Sequence, residues 1–114
     1  MTTQAGGIPG IDVAQAASKL ASHDPNGPLL VDVREADELA VVRVADALHV
    51  PTSTFTEHVG ELPKDRPLMI MCATGVRSAA VTGYLLRSGW TDVANVAGGI
   101  TAWQRAGLPV ERGR

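Results

Sequence analysis

Cys72 is the only cysteine among 114 residues, and Arg77 follows it after four intervening residues in Cys72-Ala73-Thr74-Gly75-Val76-Arg77-Ser78. A thiol, a glycine and a guanidinium at this spacing suit nucleophilic chemistry in an anion-holding loop. The nucleophile is the thiolate, so its surroundings must favour negative charge. The apolar run Leu68-Met69-Ile70-Met71 before the thiol reads as a buried strand, and Ser78 to Ser88 after the loop reads as a helix. The thiol then stands at a strand's C-terminal end and faces a helix N-terminus. Free N–H groups and the helix dipole there lower a thiol pKa and hold an anionic sulfur. Ala73, Thr74, Gly75, Val76 and Arg77 are expected to form the cradle. Gly75 takes positive φ at little steric cost. Arg77 can fork its donors toward an anion or toward loop carbonyls.

Strands and helices must deliver that loop, and the pattern supplies them in alternation. Residues 1–9 read as a flexible N-terminal arm, and residues 10–114 as one domain. Asp12 and Gln15 have capping-box spacing, and Val13, Ala16, Ala17 and Leu20 share one helical face. Asp24-Pro25-Asn26-Gly27-Pro28 is turn chemistry, and Leu29 to Val33 is a strand buried on both faces. Glu35 to Val42 suits a short helix, and Ala47 to Val50 a brief strand. Thr54 and Glu57 suggest a second capping box, with Phe55, Val59 and Leu62 on one face. Val81 and Leu85 should point inward from the helix after the loop, with Gly89 just past its end. Asp92 to Val96 is a last strand, and Gly98-Gly99 precede a final helix carrying Ile100 and Trp103. The expected fold is α/β, three layers deep, with a central five-stranded, mostly parallel sheet flanked by helices. Ligands of such sheets bind at the strands' C-terminal edge, where Cys72 falls.

Composition narrows the classes. A net charge of −2 with scattered Lys and Arg offers no nucleic-acid footprint and no patch for an anionic membrane. No apolar run approaches the roughly 20 residues of a membrane span, and Met1 to Gly7 has no signal-peptide pattern, so the cytoplasm is the expected compartment. A lone cysteine excludes an internal disulfide, a Cys-x-x-Cys pair and a multi-cysteine zinc site. His23, His49 and His58 show no metal-ligand spacing. Neither metal nor organic cofactor is expected.

Four blocks in order carry a family resemblance: Leu30-Val31-Asp32-Val33-Arg34-Glu35, Leu62-Pro63-Lys64-Asp65-Arg66-Pro67, the Cys72 to Ser78 loop, and Asn95 to Trp103 with its Gly98-Gly99-Ile100 core. The chain resembles the single-domain rhodaneses over about residues 10 to 110. The resemblance implies a sulfurtransferase that moves a sulfane sulfur from thiosulfate, polysulfide or a persulfide to cyanide or a thiol. Cys72 would carry the sulfur as a persulfide, residues 73–77 would bind the substrate, and Asp32, Arg34 and Ser78 would support the site. With no second cysteine in the chain, the acceptor must come from outside it, and a protein thiol is one candidate.

Two departures mark this chain. Val42-Arg43-Val44-Ala45-Asp46-Ala47 replaces a family turn, which Asp46 should accommodate in a left-handed conformation. Glu38 stands where the larger two-domain thiosulfate enzymes carry a substrate-binding arginine, and Ala73 and Thr74 are neutral. Both facts count against thiosulfate as the natural donor. The competing readings are a catalytically silent interaction module and, less favoured, a cysteine-dependent phosphatase or arsenate reductase. Phosphatases on this plan place five residues between Cys and Arg, whereas this chain has four. A Cys-His hydrolase would need a histidine beside Cys72, which nothing in the sequence supplies. Asp32 and Arg34 read as a structural pair more readily than as substrate contacts, and Arg34 also has i, i+4 spacing to Glu38. Gly98-Gly99 read as a packing feature of the last helix against the sheet. Trp90 and Trp103 read as core anchors.

Overall fold

A computed structural model describes residues 2–3 and 7–113, with side chains described from residue 7 onward. Among the described residues, eight strands and five α-helices follow one another: β1 Thr2–Thr3, β2 Pro9–Ile11, α1 Val13–Ala21, β3 Leu29–Asp32, α2 Ala36–Val41, β4 Val42–Arg43, β5 Leu48–His49, α3 Phe55–His58, β6 Leu68–Met71, α4 Val76–Arg87, β7 Val93–Val96, α5 Gly99–Arg105 and β8 Glu111–Arg112. The main sheet has the order β1-β2-β7-β6-β3-β5. Its last five strands are mutually parallel, as expected, and β1 adds a short antiparallel edge. A second, two-stranded ribbon pairs β4 with β8. Among the described residues no helix is long and apolar enough to cross a membrane.

The period of two along a strand sorts the core into two halves. Leu68, Ile70 and Cys72 face one side with Val31 and Val93, under Val81, Leu85 and Trp90 of the α4 region and Phe55 and Leu62. Met69 and Met71 face the other with Leu30, Ala94 and Val96, under Ala16 of α1 and Ile100 and Trp103 of α5. Because both faces are covered, β6 is apolar throughout, and β3 and β7 are apolar apart from Asp32 and Asn95, rather than alternating. The same alternation turns the Cys72 side chain toward α4.

Several local expectations hold in detail. Asp12 Oδ1 accepts from Gln15 N at 2.7 Å, closing the capping box of α1. Asp46 adopts φ 65 in the altered turn. Others change. Of the expected arm, Thr2–Thr3 pairs with Pro9 and Gly10, and Pro9 opens β2, while residues 1 and 4–6 lie outside the described residues. The second capping box does not form. Thr54 sits at φ −127, ψ 22, away from the extended conformation a cap requires, and its segment breaks into 3₁₀ turns around a four-residue helix. Helix α2 stops at Val41 because Val42 leaves it to pair with Arg112 in the ribbon. Helix α4 starts at Val76, two residues earlier than the sequence reading, and that shift shapes the site.

Candidate functional site

Gly75 is the N-cap of α4 at φ 101, a conformation glycine adopts without steric cost. The loop therefore passes from the end of β6 to the helix in only four residues, Cys72 to Gly75. Ala79 N makes the first helical bond, to Gly75 O at 3.2 Å. The N–H groups of Gly75, Val76, Arg77 and Ser78 precede it and have no partner within the helix. Two of them converge on the thiol: Gly75 N donates to Cys72 Sγ at 3.1 Å and Ser78 N at 3.4 Å. Ser78 Oγ lies 3.2 Å from the same sulfur. Cys72 itself is 1% exposed.

Burial acts most strongly on the thiol and pushes its pKa up. The hydrogen bonds from Ser78 Oγ, Ser78 N, Gly75 N and Thr74 N act the other way, and together they leave it below the ordinary thiol value of 9.0. Donors so arranged favour the thiolate form of the sulfur.

A second helix clamps the loop from outside. Ile100 N donates to Cys72 O at 2.9 Å and Thr101 N to Ala73 O at 3.1 Å, so the free N–H groups of α5 take the carbonyls that α4 does not. This approach needs Gly99 bare: a Cβ there would stand 2.4 Å from Cys72 O and 2.6 Å from Ala73 O. Gly99 therefore serves close contact with the cysteine loop, where the sequence suggested packing on the sheet.

Arg77 does not fork toward the thiol or the loop carbonyls. Its two terminal nitrogens meet Glu38 Oε2 and Oε1 at 2.8 and 2.9 Å. Glu38 also accepts from Glu35 N at 2.9 Å, so its carboxylate is fixed by α2 as well. The hydrogen bonds from Arg77 dominate over partial burial and hold the Glu38 carboxyl down at about 2. Arg34 pairs with Asp32 instead of the Glu38 carboxylate. Its Nη2 meets Asp32 Oδ2 at 2.8 Å and also donates to Val42 O at 2.9 Å, while Asp32 Oδ1 accepts from Arg34 N at 3.0 Å. Both residues are fully buried, which marks a structural node beneath the site.

The structure thus brings Cys72, Thr74, Gly75 and Ser78 together on one sulfur. It leaves the Ala73 and Val76 side chains outside that contact and gives Arg77 to Glu38. Asn95 escaped the sequence reading. This buried β7 residue bonds Ser78 Oγ through Oδ1 at 2.5 Å and Gly75 O through Nδ2 at 3.1 Å. A polar residue inside an otherwise apolar strand, Val93-Ala94-Asn95-Val96, was the available signal.

A sequence profile of the Rhodanese-like domain matches residues 12–106. A sulfurtransferase of Allochromatium vinosum is 40% identical over 100 residues, covering 88% of this chain and 92% of that protein. The thiosulfate sulfurtransferase GlpE of Actinobacillus succinogenes is 34% identical over 83 residues, covering 73% and 75%. A rhodanese-related protein from Thermoplasma volcanium superposes with a TM-score of 0.81 at 30% identity, covering 90% of this chain and 97% of that one. The chain belongs to the rhodanese-like domain family. Its relatives at 32–40% identity are sulfurtransferases, and it is a transferase of the rhodanese type.

Proposed function

We propose that the chain transfers a sulfane sulfur through a persulfide on Cys72. The observation that carries this reading is the set of three donors, Gly75 N, Ser78 N and Ser78 Oγ, within 3.4 Å of one buried sulfur. Fixed dipoles of this kind stabilise charge without reorganising during the reaction. In the first step the Cys72 thiolate attacks the outer sulfur of a donor. An Sγ–S bond forms, the donor's own bond to that sulfur breaks, and the leaving group departs with the electron pair. Sulfite leaves if the donor is thiosulfate. In the second step the nucleophile of an acceptor, cyanide or a thiolate, bonds to the outer sulfur and Cys72 regains its thiolate. Cys72 is the reacting group in this scheme. Residues 73–77 and Ser78 form the loop and helix start around the sulfur, and the buried Asp32–Arg34 pair holds the end of β3 beside it. No step calls on a metal or an organic cofactor.

The test is intact-protein mass spectrometry after exposure to thiosulfate, polysulfide or glutathione persulfide, with and without cyanide. The expected result is a gain of one sulfur that cyanide removes and that Cys72→Ser lacks. No gain from any donor would move the reading to a silent binding module.

A further inference from the structure

We propose that Asn95, which lies outside the cysteine loop, is a positioning residue: it competes with Cys72 for the single proton of the Ser78 hydroxyl, and so sets how firmly Ser78 holds a charge on Sγ. Ser78 Oγ lies 3.2 Å from Cys72 Sγ and 2.5 Å from Asn95 Oδ1, and all three residues are buried. A serine hydroxyl owns one proton, so it donates to one of these neighbours at a time. The amide does not turn over to end the competition. Asn95 Nδ2 donates to Gly75 O at 3.1 Å, and a flipped amide would set two oxygens against each other there. Oδ1 is therefore fixed as an acceptor toward Ser78.

Three states follow. In the thiol, Cys72 S–H donates to Ser78 Oγ and Ser78 donates to Asn95. In the thiolate, the hydroxyl turns to Sγ and Asn95 loses it. The third state rests on the transfer reading above. Once a sulfur is bound, Sγ is a neutral bridging atom, the negative charge has moved to the outer sulfur, and the hydroxyl returns to Asn95. No proton leaves the three residues in that last change; the O–H bond only rotates. Asn95 thus favours the forms in which Sγ is uncharged, while the backbone donors favour the charged one.

The charged groups on neighbouring elements are Arg77, paired with Glu38 and flanked by Glu35 of the α2 segment, and the Asp32–Arg34 pair at the end of β3. None of these differs among the variants that test the idea. Asn95→Leu keeps the side chain's approximate shape and removes the acceptor. The alkylation rate of Cys72 with iodoacetamide is followed against pH in the unaltered protein, Asn95→Leu, Ser78→Ala and the double variant. Alkylation needs no sulfur donor, so the result does not depend on whether transfer occurs. The midpoint should fall by about half a pH unit in Asn95→Leu, roughly a threefold gain in thiolate below it. It should rise in Ser78→Ala, and in that background Asn95→Leu should no longer lower it. A rise in Asn95→Leu, or an equal change in both backgrounds, is what loop anchoring alone would give, and overturns the proposal. The Asn95 carbonyl ¹³C resonance gives a second reading that needs no folded Asn95→Leu. It should move through the same titration in the unaltered protein and stay fixed in Ser78→Ala; a resonance that does not move in the unaltered protein also overturns the proposal.

Discussion

Gly99 and Cys72 meet through backbone alone: α5 begins so close to the end of β6 that a single methyl group at residue 99 would lie 2.4 Å from the Cys72 carbonyl oxygen. The thiol's position is therefore set by the start of a helix 27 residues further along the chain as much as by its own strand. Gly99 also holds φ 58, which side-chain-bearing residues adopt at a cost. Gly99→Ala should destabilise the fold by about 2–4 kcal/mol, since a clash with backbone cannot be relieved by a rotamer change. Urea unfolding measures this. A midpoint unchanged from that of the unaltered protein would mean that α5 does not grip the loop.

Cys72 should titrate lower in the folded chain than in the unfolded one. Burial raises its pKa, the Ser78, Gly75 and Thr74 hydrogen bonds lower it, and the hydrogen bonds prevail. For a group whose folded pKa is depressed, the stabilising contribution is present above the unfolded pKa and is lost as pH falls through the folded one. The alkylation midpoint in buffer should lie below the midpoint in concentrated urea, where the donors are gone. The reverse order would show that burial wins.

Glu38→Gln separates charge from geometry at the rim, because glutamine can still accept from Glu35 N. The Glu38–Arg77 pair is about one-third exposed on each side, at 32% and 36%, so water screens much of its attraction. Its loss should cost no more than about 0.5–1 kcal/mol of stability at pH 7. That contribution is whole above the ordinary carboxyl value of 4.5 and fades as pH falls toward about 2, so the two proteins should converge in stability at acid pH. Freeing Arg77 should also favour dianions. Sulfur loading from thiosulfate should rise about threefold relative to loading from methanethiosulfonate, which carries one charge fewer. An unchanged ratio would show that Arg77 does not face the donor.

Asp32→Asn should be the most damaging single-atom change at the site's base. It leaves Arg34 buried without its counter-charge, a loss of about 3–5 kcal/mol. Denaturant unfolding of Asp32→Asn beside Asp32→Asn/Arg34→Met checks the cause. The double variant should recover part of the loss; if it is the weaker protein, the pair itself is not what the single change breaks.

Much of this could be read from residue order. Apolar runs at Leu29 to Val33 and Leu68 to Met71 are strands buried on both faces, and the alternation of strands with helices leaves a parallel sheet as the simplest arrangement. Cys72 and Gly75 announce themselves by type. The Asp32–Arg34 pair is expected from the sequence and present, but the partner of Glu38 was less legible because spacing favours Arg34 for it over Arg77. Arg34 and Glu38 are one helical turn apart in number, yet Arg34 precedes the helix and folds back on Asp32. Asn95 was hidden for a different reason. Its contacts to Ser78 and Gly75 span 17 and 20 residues, and only the register of β7 beside β6 brings them together. Thr54 misled because a cap depends on backbone angles as well as on residue type.

The donors around Sγ are main-chain N–H groups apart from one hydroxyl, and this separates two tasks along the same short loop. Any residue with a peptide N–H presents the same dipole, so the side chains at positions 73, 74 and 76 are not needed for charge. Thr74 and Val76 point that freedom outward, with Val76 at 75% exposure. Under the proposed transfer, selectivity for visiting molecules would be rewritten there by ordinary substitution while the electrostatics around Sγ is inherited intact.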